Sequence, residues 1–328
     1  MRKTLKKERI VKESLLNFKQ SAICKDASSG MLAHSVLLIS PDDYALQNYA
    51  KFLAQTLMCS GENKPCGECA ECRKIEHNNH VDIMYYPKAN KALNSSEIAE
   101  LVDLAFQAPY ASDKKVFIIN NTNNIDASMQ NKLLKTLEEP PHNTFFILLA
   151  TEDNNILPTI KSRCRSVFLP KTSQNEISAI LNEQNIAQDV QQQVLAFCGG
   201  NCSLALKYAQ STEFYDCVLL VQEILKNFRK SSQMIDYSAK LYKLNDNFEE
   251  FLTIFLQNCS DAVKLLCGVK NDNPTALVVA KEFSINAITN LVLECNKFLE
   301  KRKRNCNFSA LIDSFLFMIL EVRHKWPI

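Results

Sequence analysis

Five short apolar runs, each followed by a stretch of helical spacing or by a turn, constrain the fold of this chain more tightly than any other feature. They are Val36 to Ile39, Ile83 to Tyr86, Val116 to Ile119, Phe145 to Leu149 and Val167 to Leu169. Contiguous apolar residues over so short a span read as strands buried on both faces, not as the alternating strands of a half-exposed sheet. Strands that recur with helices between them need crossover connections, which are right-handed and produce a parallel sheet. The first half is therefore expected to be an α/β domain.

The intervening segments agree. Ala45 to Met58 carries Leu46, Tyr49, Ala50, Leu53, Ala54 and Leu57 at helical spacing, and Glu97 to Gln107 does the same with Ile98, Leu101, Val102 and Ala105 behind a cap at Asn94 or Ser95. A third helix, Ser128 to Glu138, is closed by Pro140 and Pro141, which cannot continue it. After Pro170 the strand signals stop. Residues 174–210 read as a small helical bundle turning at Gly199 and Gly200, and residues 213–326 as a larger one, amphipathic near Phe248 to Cys267 and Phe308 to Arg323.

Composition excludes several classes. At 328 residues and 46% hydrophobic, the chain can bury a sizeable core in two or three domains. Lys+Arg of 38 against Asp+Glu of 36 leaves no global basic field, so any grip on nucleic acid is expected to be local or shared with partners. The start of the chain is charged (Arg2, Lys3, Lys6, Lys7, Glu8, Arg9) and lacks the apolar core of a secretory signal. The longest apolar run, Phe315 to Leu320, is too short to span a bilayer. A cytoplasmic location without a membrane partner is the expectation, and there the 13 cysteines would stay reduced.

Four of those cysteines are clustered. Cys59, Cys66, Cys69 and Cys72 follow C-x6-C-x2-C-x2-C, with Pro65 and Gly67 permitting the tight turn that aims successive thiolates at one point. Four thiolates complete the tetrahedral shell of a structural Zn2+ and leave no position for a reactive water. The alternatives are ordinary reduced thiols in a loop, or His77 or His80 in place of one sulfur.

Two segments bear on nucleotide chemistry. Ser40 to Gln47 sits where a strand passes into a helix, the place where nucleotide-binding folds carry a glycine-rich phosphate cradle. It has no glycine and no lysine, and Asp42 and Asp43 put negative charge where a phosphate would lie. The strand Lys115 to Ile119 runs into Asn120 and Asn121, where ATPases of this layout hold magnesium with an Asp and activate water with a Glu. An asparagine is a weak magnesium ligand and cannot serve as a general base at neutral pH.

The run Asn131-Lys132-Leu133-Leu134-Lys135-Thr136-Leu137-Glu138-Glu139-Pro140-Pro141, the four cysteines and Ser162-Arg163-Cys164 together resemble the clamp-loader subunits of bacterial DNA polymerase III. Specific motifs carry the resemblance over residues 30–210, and helical character alone carries it beyond. It implies an AAA+-like parallel-sheet domain with an inserted zinc module (1–170), a small helical lid (171–211) and an all-α collar domain (212–328) that joins subunits. It also shows what is missing. Leu46 falls where ATP-binding members carry the phosphate lysine, Asp43 and Ala45 at glycines, Asn120 and Asn121 at the Asp-Glu pair, and Ser203 at a second phosphate-sensing arginine.

The resemblance is therefore to members that bind no ATP of their own and act as a non-catalytic stator within the polymerase holoenzyme. What remains is Arg163, at the position of an arginine finger that reaches into the ATP site of a neighbouring subunit; guanidinium suits this task because it is always charged and offers a planar fork of donors. The implied partners are gamma/tau and delta clamp-loader subunits, the sliding clamp and, through the complex, primed DNA. Two rival readings differ in what they predict. A divergent gamma-type ATPase would bind magnesium-ATP, and a free-standing zinc-containing adaptor would ignore gamma-type subunits. Arg165 is expected to pair with an acid or with solvent, Lys301 to Arg304 to form a solvated basic face, and the stripe from Phe308 to Ile319 to be core or interface.

Overall fold

A computed structural model describes residues 12–88, 93–269, 273–303 and 306–325. The charged residues 2–9 and Arg304 of the basic run lie outside the described residues. The chain divides into two compact units, one formed by residues up to 191 together with 198–206, the other by 192–197 together with 207–328.

The first unit begins with helices α1 (Lys12–Lys19) and α2 (Ala22–Ser29), followed by strand β1 (Ser35–Ile39) and helix α3 (Asp43–Met58). Helix α4 (Ala70–Glu76), β2 (Ile83–Tyr86), α5 (Ser95–Ala105), β3 (Lys115–Ile119), α6 (Ala127–Glu138), β4 (Thr144–Ala150), the one-turn α7 (Pro158–Lys161) and β5 (Arg165–Phe168) complete the sheet region. The strands form one five-stranded sheet in the order β2-β3-β4-β1-β5, with every pairing parallel. This is the α/β architecture expected from the sequence.

Alternate residues of each strand serve opposite faces, as the period of two requires. Val36 and Leu38 of β1 pack with Leu46, Tyr49, Ala50 and Leu53 of α3 on one side. Leu37 and Ile39 pack with Ile98 and Leu101 of α5 and Leu133 and Leu137 of α6 on the other. Each fully buried Leu or Ile contributes about 1.5–3 kcal/mol, so both faces hold the central strands in place. Helix starts are fixed locally: Asn94 and Glu97 form a capping box on α5, and the Asp126 carboxylate accepts from Met129 N at 2.8 Å on α6.

Strand β5 departs from the apolar run Val167 to Leu169, starting at Arg165 and ending at Phe168. It lies at the sheet edge beside β1, and Phe168 is 70% exposed, so apolar burial does not set its limits. Leu169 still donates its N–H to Ile39 O at 2.9 Å. Beyond the sheet, α8 (Gln174–Glu183) belongs to the first unit, while α9 (Gln188–Phe197) and α10 (Cys202–Gln210) are shared between the two.

The second unit is helical among the described residues: α11 (Thr212–Asn227), α12 (Met234–Lys243), α13 (Phe248–Leu266), α14 (Pro274–Glu282), α15 (Ile285–Lys303) and α16 (Phe308–Lys325). Its centre is aromatic. The Phe315 ring lies 5.3 Å from Phe255 and 5.7 Å from Phe251 and Phe298, all steeply inclined to it. Leu311, Ile312, Phe315, Leu316 and Ile319 are buried, which makes most of the stripe on α16 core. Arg302 of the basic run is not simply solvated, for it donates to Asn245 O at 2.9 Å and stacks on Phe308. Among the described residues no single helix is long and apolar enough to cross a membrane.

Candidate functional site

The C-terminal ends of parallel strands are where this architecture gathers ligands. At the end of β1, the chain passes through Ser40 and Pro41 to Asp42, which caps α3. Asp42 is only 1% exposed, and its carboxylate is surrounded by donors. Oδ1 accepts from Ala45 N at 3.3 Å, Ser203 N at 3.1 Å and Ser203 Oγ at 2.9 Å. Oδ2 accepts from Cys202 N at 2.6 Å and Thr172 Oγ1 at 3.2 Å.

The space a phosphate would need at the start of α3 is thus filled by the chain's own carboxylate. Leu46, which the resemblance put where ATP-binding members carry a lysine, is buried in one cluster with Val36, Leu38 and Leu53. Ser203, which the resemblance put where ATP-binding members carry a second arginine, donates to Asp42 and accepts from Tyr44 N at 2.8 Å. Burial pushes the Asp43 carboxyl up from its ordinary value, with Asp42 adding to the effect. Burial and the Asp42 charge push the Cys202 thiol up to about 12, so it stays protonated and inert.

At the end of β3, Asn120 N donates to Tyr86 O at 2.8 Å, while its Oδ1 is buried without a protein partner. Asn121 takes the left-handed conformation (φ 53°) that asparagine tolerates, and turns the chain into the following residues. Asn123, which sequence reasoning did not single out, is buried and its Oδ1 accepts from Thr151 N at 3.0 Å, tying this turn to the end of β4. None of these groups is a carboxylate, so the turn after β3 offers no strong magnesium ligand.

Arg163 lies between α7 and β5. Its guanidinium donates to Glu138 Oε1 at 2.6 Å and to Thr159 O at 2.9 Å, and the Glu138 side chain is 54% exposed. The acceptor is the first acid of the Glu138-Glu139-Pro140-Pro141 run at the end of α6, so two motifs that are separate in the sequence meet here. Arg165 pairs with Asp26 of α2, the first of the two expected alternatives, an acid or solvent.

The four cysteines converge. The sulfurs of Cys59, Cys66, Cys69 and Cys72 lie within 4.8 Å of one another, and the Cys69 and Cys59 sulfurs are 4.0 Å apart. Ligands about 2.3 Å from a tetrahedral ion stand a little under 4 Å from each other, so the cage fits such a metal. Backbone N–H groups point at the sulfurs: Gly61 and Cys66 at Cys59, each 3.3 Å, Cys69 at Cys66, 3.3 Å, and Cys72 at Cys69, 3.4 Å. Against the opposing effect of burial, the N–H groups of Cys72 and Ser60 hold the Cys69 thiol down to about 6, whereas burial pushes the Cys72 thiol well up.

Two glycines are required by this cage. A Cβ on Gly61 would come within 3.0 Å of Cys66 Cβ, and Gly67 has φ +75°. His80 is not a ligand: its Nε2 faces Glu71 at 2.5 Å and its Nδ1 accepts from Asp82 N. His77 is the C-cap of α4 and stands outside the cluster.

Residues 17–173 match the family model described as "DNA polymerase III, delta subunit". The chain is 24% identical over 307 residues to the DNA polymerase III subunit delta' of Bacillus subtilis, covering 88% of this chain and 92% of that one. It is 30% identical over 145 residues to subunit delta' of Haemophilus influenzae, covering 44% of each. It is also 30% identical over 175 residues to subunit tau of Escherichia coli, covering 52% of this chain and 27% of the longer tau.

Proposed function

We propose that the chain is one of the DNA polymerase III clamp-loader subunits, of the delta' and gamma/tau kind to which it is similar, and that it is a delta'-type stator. It would bind no ATP, take part in placing a sliding clamp on primed DNA alongside gamma/tau and delta subunits, and lend Arg163 to the ATP site of a gamma-type neighbour. The observation that carries the reading is the buried Asp42 carboxylate, with its five donors, standing where a phosphate cradle would be. Supporting it, Asn120 and Asn121 replace the acids that magnesium and water activation demand.

Arg163 is suited to a role in trans because both of its partners are exchangeable. A half-exposed ion pair such as Arg163–Glu138 is worth only about 0–1 kcal/mol, so a nearby triphosphate could compete for the guanidinium. The cysteine cage would hold a structural Zn2+ through Cys59, Cys66, Cys69 and Cys72, with no open coordination position for chemistry. Under the same reading residues 171–211 form the lid, residues 212–328 the collar, and the protein acts in the cytoplasm.

Equilibrium titration of the full chain with a fluorescent ATP analogue and magnesium tests the non-catalytic part. The expected result is no saturable binding up to about 1 mM, the upper end of ordinary enzyme affinities. Saturable binding in the micromolar range would overturn it and return the divergent ATPase to first place.

A further inference from the structure

The five donors to Asp42 come from three parts of the chain that lie far apart in sequence. Ala45 N belongs to the first turn of α3, and that bond alone would make Asp42 an ordinary N-cap. The other four come from Thr172 and from Cys202 and Ser203, the first two residues of α10. The 3.3 Å bond to Ala45 is the longest of the five, and the 2.6 Å bond to Cys202 N is the shortest. Two helix starts thus point their unpaired N–H groups at one carboxylate, an arrangement that favours a negative charge and that usually receives a phosphate or sulfate.

The surroundings complete the joint. Asn201 donates from Nδ2 to Pro41 O at 2.7 Å and accepts from Leu204 N through Oδ1 at 3.0 Å, capping α10 while gripping the chain just before Asp42. Thr172 N donates to Gly200 O at 3.0 Å. Gly200 has φ +83°, and a Cβ there would come within 3.0 Å of Lys171 Cβ, so only glycine allows this approach.

We propose that Asp42 is an internal-anion latch: its carboxylate permanently occupies the anion position between α3 and α10 and holds residues 200–206 against the end of β1. A site that opens and closes around a phosphate is thereby replaced by one that is closed at all times. The inference goes beyond the clamp-loader reading, since it concerns how this unit holds its shape and stands whichever complex the chain joins.

Hydrogen–deuterium exchange on the full chain tests it, comparing wild type with Asp42→Ala and Asp42→Ser. Serine keeps the cap on α3, so that variant stays folded, but its hydroxyl is too short to serve Cys202 and Ser203 as well. Exchange across residues 200–206 is expected to rise about ten- to hundredfold in both variants, the equivalent of losing hydrogen bonds to a charged group, while the start of α3 is unchanged in Asp42→Ser. Millimolar inorganic phosphate is expected to restore slow exchange in Asp42→Ala and to leave wild type unaffected. Unchanged exchange at residues 200–206 in the serine variant would overturn the latch. So would failure of phosphate to slow exchange in the alanine variant, or slowing by phosphate in wild type, which would mean that the position is open.

Discussion

Asp82 shows how a single buried acid shapes the surface of the first unit. It is 1% exposed, and its carboxylate accepts from the N–H groups of Tyr110 (2.5 Å), Ala111 (2.8 Å) and Ser112 (2.9 Å) and from Ser112 Oγ (2.9 Å). Although burial works against ionisation, these donors hold the carboxyl below its ordinary value. Because the folded-state value lies below the unfolded one, the stabilisation is complete above the unfolded pKa of about 3.9 and is lost as pH falls through the folded value. Asp82→Asn should therefore be less stable than wild type by about 1–3 kcal/mol at pH 7, and the gap should shrink as pH falls below about 4. Urea unfolding across that range checks it, and a gap that stays constant would contradict the assignment. Asp82 drew no notice in the sequence, since an isolated acid before a strand has no pattern. Asp42 was legible only as a repelling charge, because its partners Thr172, Cys202 and Ser203 lie some 130 to 161 positions away.

At the scale of elements, the cysteine module joins the end of α3 to α4. Cys59 is the C-cap of α3, and Cys69 is the N-cap of α4, its sulfur accepting from Cys72 N. With seven residues, α4 is too short to persist alone, so its order rests on the cage and on Gln55, which donates to Cys72 O at 3.2 Å and Glu76 Oε2 at 3.1 Å. Purified protein should release one zinc per chain to a chelator or on Cys72→Ser, with fast amide exchange confined to residues 59–77 and slow exchange kept in β1, β3 and β4. A chain that carries no metal, or exchange that spreads through the sheet, would contradict a local structural site. The strands were the most legible elements, because Val36 to Ile39, Val116 to Ile119 and Phe145 to Leu149 are buried on both faces and leave an uninterrupted apolar run. The edge strand β5 was misplaced by two residues at its start because Arg165, held by Asp26, and exposed Phe168 do not obey that rule. The helices of the second unit were visible only as amphipathic stretches, since apolar spacing gives a face but not its partner.

For the whole molecule, composition and charge pointed to a folded chain without a basic field, and the motifs pointed to a family; neither could show that the Asp42 carboxylate is ringed by donors from distant parts of the chain. In the proposed stator this arrangement would separate two properties: a first unit fixed by Asp42 and indifferent to nucleotide, and an arginine kept for the site of another subunit. The most direct test of the account is the clamp- and primed-DNA-stimulated ATPase of the complex reconstituted from gamma-type and delta-type subunits with this chain, comparing wild type, Arg163→Ala and Arg163→Lys at matched assembly. The account predicts an intact complex in which the site served by Arg163 loses turnover by about a thousandfold, with lysine failing to restore it because it lacks the planar fork. Unchanged turnover in a fully assembled Arg163→Ala complex would contradict it and leave the chain a purely structural part.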